Sequence, residues 1–352
     1  MSSLFTPLTL RGVTLRNRIV VSPMCQYSST DGFLEDWHLV HLGSRAVGGA
    51  ALVIVEASAV EPRGRISPED AGIWDDRHVA PLERIARFVR SQGAAFGLQL
   101  AHAGRKAGTW RPWEGSGPLP KEKSWEPVGP SAIPWDTTWA VPHALTKDEI
   151  LAIVAKFQDA ARRAEAAGLD LVEIHGAHGY LIHSFLSPLS NRREDEWGGD
   201  LAGRARFLLA VVDAVRGVWP ERKPLFVRVS ATDWVEGGLT IEETVAVARM
   251  LKGRGVDVVD CSSGGSSPLQ KIAAGPGFQV PFAERVRREA GIATMAVGMI
   301  TEPAQAEAIV REEKADLVAL ARQELRDPYW PQNAARALGV KPAVPPQYGR
   351  AH

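Results

Sequence analysis

The chain is 352 residues long and 45% hydrophobic, with 41 basic and 41 acidic residues. That length and apolar content support a large buried core, and the balanced charge leaves no basic field to gather nucleic acid or an anionic membrane. The expected partner is a small molecule, with no nucleic acid and no membrane involved.

Only two cysteines occur, Cys25 and Cys261; the start lacks a basic-then-apolar leader, and the apolar runs are too short to span a bilayer. Together these predict a soluble protein of a reducing compartment, the cytoplasm. Short apolar runs lie near 18–23, 51–57, 95–100, 169–175, 224–230, 256–262, 293–298 and 316–321, separated by segments of helical period. Continuous runs such as Ala51-Leu-Val-Ile-Val55 and Leu317-Val-Ala-Leu320 suit strands covered on both faces. Thr146-Lys-Asp-Glu149 and Thr240-Ile-Glu-Glu243 fit capping boxes at helix starts, and Gly168 is a helix stop.

Eight strand–helix units predict a single (β/α)8 TIM barrel over residues 1–352, although an open doubly wound sheet alternates in the same way. The polar residues favour the barrel, because they fall at the C-terminal ends of many strands. Cys25 follows the first, Gln99 and His102 the third, His175 the fourth, Ser262 and Ser263 the sixth, and Arg322 the eighth, with Arg228 near the end of the fifth.

After the third strand, residues 105–145 form a long connection with Trp110, Trp113, Trp125, Trp135 and Trp139. It reads as a cap over the barrel mouth or as an Ω-loop packed on its own tryptophans. The proline-rich tail, 341–352, has no helical stripe.

The fourth strand ends in His175-Gly-Ala-His-Gly-Tyr180, where two imidazoles and a phenol emerge as the strand stops. Histidines at this spacing serve as metal ligands, as hydrogen-bond donors to a substrate oxygen, or as core side chains. The neighbouring strands offer no evident carboxylate to complete a zinc set, and no lysine sits in or at the end of a predicted strand to form a Schiff base. No G-x-G-x-x-G or P-loop occurs, so a cofactor would be held by the barrel itself.

Ser22-Pro-Met-Cys-Gln-Tyr27, Asp36-Trp-His-Leu-Val-His41, Gln99-Leu-Ala-His-Ala-Gly-Arg105, His175-Gly-Ala-His-Gly-Tyr180, Ser187-Pro-Leu-Ser-Asn191, Val227-Arg-Val-Ser230, Val297-Gly-Met299 and Ala321-Arg322 follow one another in the order of a known family. On these motifs the chain resembles the Old Yellow Enzyme family of flavin-dependent ene-reductases, in its thermophilic-like branch, over nearly its whole length. The resemblance implies non-covalent FMN, with NADPH or NADH as reductant. It also implies reduction of α,β-unsaturated carbonyl or nitro compounds in a ping-pong cycle.

Carried onto this chain, His175 and His178 bind the substrate oxygen, Tyr180 donates the proton, and Tyr27 contacts substrate. Cys25 lies near the flavin and tunes its potential. Ser22, Pro23, Met24, Ala57 and Gln99 line the ring, Arg228 meets its N1–O2 edge, and Gly298, Ala321 and Arg322 hold the phosphate. Read from the residues alone, Arg228 could instead pair with Glu173 on the preceding strand, and Cys261 is a core residue. Ala321 stands where relatives usually have glycine. The tail keeps Gln347-Tyr-Gly-Arg350 without a terminal aromatic, and it implies a homo-oligomer, dimer or tetramer, in which Arg350 approaches a neighbour's substrate pocket. The competing readings are a metal-dependent barrel hydrolase or lyase and a flavin-binding scaffold without redox activity.

Overall fold

A computed structural model describes residues 2–351; Met1 and His352, the last residue of the predicted tail, lie outside the described residues. The chain begins with a hairpin, β1 (Leu8–Leu10) and β2 (Val13–Leu15), followed by β3 (Ile19–Val21), α1 (Asp36–Val47), β4 (Leu52–Ala59) and α2 (Val79–Ser91). After β5 (Ala95–Ala101) come a short parallel pair, β6 (Val128–Gly129) and β7 (His143–Ala144), and then α3 (Lys147–Ala166). Strand β8 (Leu171–Gly176) leads to α4 (Leu181–Leu186) and α5 (Leu201–Arg216), and β9 (Leu225–Ser230) to α6 (Ile241–Lys252). Strand β10 (Val258–Ser262) leads to α7 (Val280–Ala290) and β11 (Ala293–Ala296) to α8 (Pro303–Arg311). Last come β12 (Leu317–Leu320), α9 (Arg322–Arg326) and α10 (Trp330–Ala337).

Strands β3, β4, β5, β8, β9, β10, β11 and β12 close into a parallel barrel in that order, as the eight apolar runs predict. The period of two along each strand divides the core. Val172, Ile174, Val227, Val259 and Val318 face outward into the layer shared with the helices. Val20, Leu52, Ile54, Leu171, Phe226, Val258, Met295 and Leu317 face inward and fill the lower barrel. The hairpin, which the sequence reading missed, packs Leu8, Leu10, Val13 and Leu15 against that inner cluster and stoppers the base.

Two helix starts take the form their residues predict. Thr146 and Thr240 each accept from the backbone amide three residues on, and Glu149 and Glu243 return the bond. Gly168, at φ +75°, turns the chain out of α3.

The 105–145 connection is both cap and self-packed loop. Trp135 and Trp139 lie 5.2 Å apart, while Trp113 meets Tyr27 edge-on at 5.9 Å. The indoles of Trp125 and Trp135 donate to the carbonyls of Arg63 and Gly265, on loops after β4 and β10. The cap is thereby fastened across the mouth of the barrel.

Candidate active site

One step above the apolar layer, the same strands turn polar. Arg228 on β9 lies beside Asp260 on β10 in register, and beside His175 on β8. This corrects the sequence-based alternative of a pair with Glu173: the guanidinium comes within 3.0 Å of Asp260 Oδ2. That approach lacks hydrogen-bond alignment, since neither Arg228 Nε nor either Asp260 oxygen has a directed partner. The attraction is therefore charge on charge in a buried layer. Gln99 donates to Glu173 Oε1 at 2.8 Å, and Arg228 Nη1 donates to Ser22 Oγ at 3.2 Å. Burial raises both the Glu173 and Asp260 carboxyls; their mutual repulsion raises Glu173 further, and Arg228 opposes both shifts. The layer forms the floor of the mouth.

Above the floor stand the residues of the β8 end. The His175 and His178 rings are 5.1 Å apart at 87°, and Tyr180 lies 5.1 Å from His175 and 6.4 Å from His178. His178 and Gly179 both adopt positive φ, +61° and +76°. The cost of that backbone for a histidine is met by Ser230 Oγ, which accepts from the His178 amide at 2.9 Å. His175 Nδ1 accepts from the Ala177 amide at 3.3 Å, which leaves its proton on Nε2. His178 Nε2 lies 2.7 Å from Ser262 Oγ. Burial, then the charges of Arg228 and Lys106, push both imidazoles well below their usual range, so both are neutral near pH 7. Burial pushes the Tyr180 phenol up, so it keeps its proton.

The loop after β3 brings Cys25 and Tyr27 against Tyr180 and Trp125, around Ile66, Ala103 and Ala107. Tyr27 also has positive φ, +50°, and the loop is held from behind by Glu56 Oε1, which accepts from the Gln26 amide at 2.9 Å. Glu56 sits where β4 slips register between Val55 and Ala57, and that slip sets Ala57 opposite Gln99. Burial pushes the Glu56 carboxyl up to about 8 and the Cys25 thiol well up. Cys25 is thus a neutral thiol and a poor nucleophile. Cys261 is buried in the outer core.

Pro23 and Met24 link β3 to this loop. Gly298, Ala321 and Arg322 line a separate cavity of about 340 Å³ at the ends of β11 and β12, with Gln279, Met299 and Arg326. Gly298 has φ +123°, and a Cβ there would come 2.8 Å from Gln279 Nε2. A glycine cradle, an arginine at its edge and a buried Arg228 whose Nε has no hydrogen bond beyond its charge contact with Asp260 fit a flat, phosphorylated cofactor lying across the floor.

Arg350 does not join this group. It is exposed, in a helical turn spanning Pro346–Ala351, and tail residues 343–347 border Arg16, Val47 and Ser91–Gly93 at the base of the barrel. His102, flagged at a strand end, pairs with Glu61 at 2.8 Å and is structural.

The sequence reading missed Asp260, Glu56 and Lys106. Asp260 carried the same signal as Arg228, a charge inside an apolar strand. Lys106 reaches the site from outside the strands: it lies one residue beyond the 99–105 motif, and its Nζ meets the His178 carbonyl at 2.9 Å. Carboxylates do stand on the neighbouring strands, yet no group of three or more His, Cys, Asp or Glu among the described residues is arranged to hold a metal ion. No helix among them is long and apolar enough to cross a membrane.

Residues 3–340 match the model of the NADH:flavin oxidoreductase / NADH oxidase family. The chain is 52% identical to an NADPH dehydrogenase of Geobacillus sp. (strain WCH70) over 349 residues, covering 99% of this chain and 98% of the relative. It is 50% identical to an NADPH dehydrogenase of Bacillus licheniformis over 350 residues, again covering 99% and 98%. Among solved structures, morphinone reductase superposes with TM-score 0.80 at 28% identity, covering 98% of this chain and 92% of that one. A 2-naphthoyl-CoA reductase gives 0.86 at 26%, covering 96% and 52%.

Proposed function

Because the chain belongs to the NADH:flavin oxidoreductase / NADH oxidase family, in keeping with its Old Yellow Enzyme motifs, we propose that it is an FMN-dependent ene-reductase drawing on NADPH or NADH. Its substrates are activated alkenes, α,β-unsaturated carbonyl or nitro compounds, reduced in a ping-pong cycle. The observation that carries this reading is the pair of neutral imidazoles at right angles, with a protonated phenol beside them, above a floor that presents Arg228.

FMN, when bound, supplies the hydride. His175 and His178 hold the acceptor oxygen; as neutral donors they strengthen their hold as negative charge builds on it. Tyr180, kept protonated by burial, delivers a proton to the carbon that becomes carbanion-like. Tyr27 borders the acceptor, while Cys25 is a polarisable neighbour of the ring that tunes its potential without a covalent bond. Ser22, Pro23, Met24, Ala57 and Gln99 line the ring, Arg228 faces its N1–O2 edge, and Gly298, Ala321 and Arg322 take the phosphate. Arg350, exposed on the tail and away from its own site residues, serves the pocket of a neighbouring chain in a homo-oligomer, dimer or tetramer.

The test is His175→Ala with His178→Ala. FMN should stay bound, while affinity for phenols, which mimic the enolate oxygen, falls by several kcal/mol, each donor being worth about 3. A double variant that binds phenols as wild type does removes the donor assignment.

A further inference from the structure

Lys106 is a lysine with no carboxylate partner in a place where a bare charge is costly. Its Nζ donates to the carbonyls of His178 at 2.9 Å and Gly265 at 3.2 Å. It lies 5.1 Å from the centre of the Trp135 ring and 5.2 Å from that of Tyr180. Two carbonyls and two aromatic faces offset part of its lost hydration, but they bring no negative charge.

The groups around it add none either. Arg105 is next to it in the chain, Arg228 lies below, and His175 and His178 are neutral. Arg228 is already matched with Asp260. Asp233 is taken by His183 at 2.9 Å and by the Ser187 hydroxyl. Beyond Tyr180, the Asp70 carboxyl accepts from the Ile66 amide and the Ser67 hydroxyl. The mouth therefore holds an excess of positive charge beside the point where an acceptor oxygen is expected.

Resting on the ene-reductase reading, we propose that Lys106 is a charged residue of the acceptor site, whose counter-charge is the oxyanion that the bound molecule carries or develops. The imidazoles supply directed hydrogen bonds to that oxygen, and Lys106 supplies the field. Acceptors that place a full charge on oxygen, such as nitroalkenes, gain most, and ionised phenols bind better than neutral ketones of similar size. The ammonium also ties the loop after β10 to the β8 end, so a merely structural role must be separated from the electrostatic one. Burial lowers its pKa to about 8, so the charge is present below that pH and lost above it.

The experiment compares wild type, Lys106→Met and Lys106→Arg as FMN holoenzymes. Each is titrated by calorimetry with pentafluorophenol, which is ionised at neutral pH, and with acetophenone as a neutral ligand. Lys106→Met should lose on the order of tenfold or more in phenolate affinity while acetophenone binding stays within about twofold, and Lys106→Arg should recover most of the loss. Wild-type phenolate affinity should also fall above about pH 8, a fall absent in Lys106→Met. If wild type binds both ligands and Lys106→Met weakens both equally, or neither, the role of Lys106 is overturned and the acceptor-site reading stands. A wild-type holoenzyme that binds neither ligand overturns both.

Discussion

Along the barrel strands the interior changes character within two residues. Leu171, Phe226 and Val258 fill one layer without a polar atom between them; Glu173, Arg228 and Asp260, the next inward positions on the same strands, are charged or chargeable. Both layers are buried, yet only the lower is what a stable core calls for. The upper contains one guanidinium, two carboxyls and several oxygens without directed partners, an arrangement that well-packed apolar side chains of similar volume would match or better in stability. The contrast teaches where in this fold stability is made and where it is given up to hold a ligand.

Two substitutions and a deletion sharpen that contrast. The largest effect should come from the apolar layer: Phe226→Ala is expected to cost about 3–5 kcal/mol of unfolding free energy, read from the denaturant midpoint of the holoprotein. A loss under about 1 kcal/mol would mean that the lower layer is not the stabilising one.

In the polar layer, Glu173→Gln should act through pH. Burial lifts this carboxyl above its ordinary 4.5, so the native state keeps a proton that the unfolded chain gives up. Wild-type stability therefore declines as pH rises from 4.5 to the raised native value, by on the order of 1 kcal/mol per pH unit from this group. An amide has no proton to lose, so the decline should flatten in the variant; an unchanged profile of melting temperature against pH would show that Glu173 is ionised in the fold.

The smallest effect on stability belongs to the tail. Deleting residues 347–352 should change it by less than about 0.5 kcal/mol, because Pro346–Ala351 buries nothing. The deletion should raise KM for the alkene more than it alters FMN affinity. A strictly monomeric protein in light scattering, with kinetics untouched by the deletion, removes the role given to Arg350.

The eight strands were legible because each is covered on both faces and reads as a mainly apolar run, and the cap because its tryptophans have no helical or strand period. The stagger between strands was not legible. Sequence shows that Glu173 and Arg228 stand on neighbouring strands, but the register that sets Arg228 level with His175 and Asp260 arises only when the sheet closes. The hairpin was missed because three-residue strands barely register as a period, although Leu8, Leu10, Val13 and Leu15 alternate about Arg11-Gly12. Of the candidate site, the motifs gave residue types and order. Lys106 escaped because its depth depends on Trp135, far along the chain, and on a carbonyl of the loop after β10.

The stopper formed by Leu8, Leu10, Val13 and Leu15 closes the base of a barrel whose lower interior is already filled, so among the described residues the polar floor faces the mouth. With the base sealed, whatever approaches the floor from the mouth must withdraw the way it came. Two visitors too large to share that opening would take turns, which is the order the proposed ping-pong cycle requires.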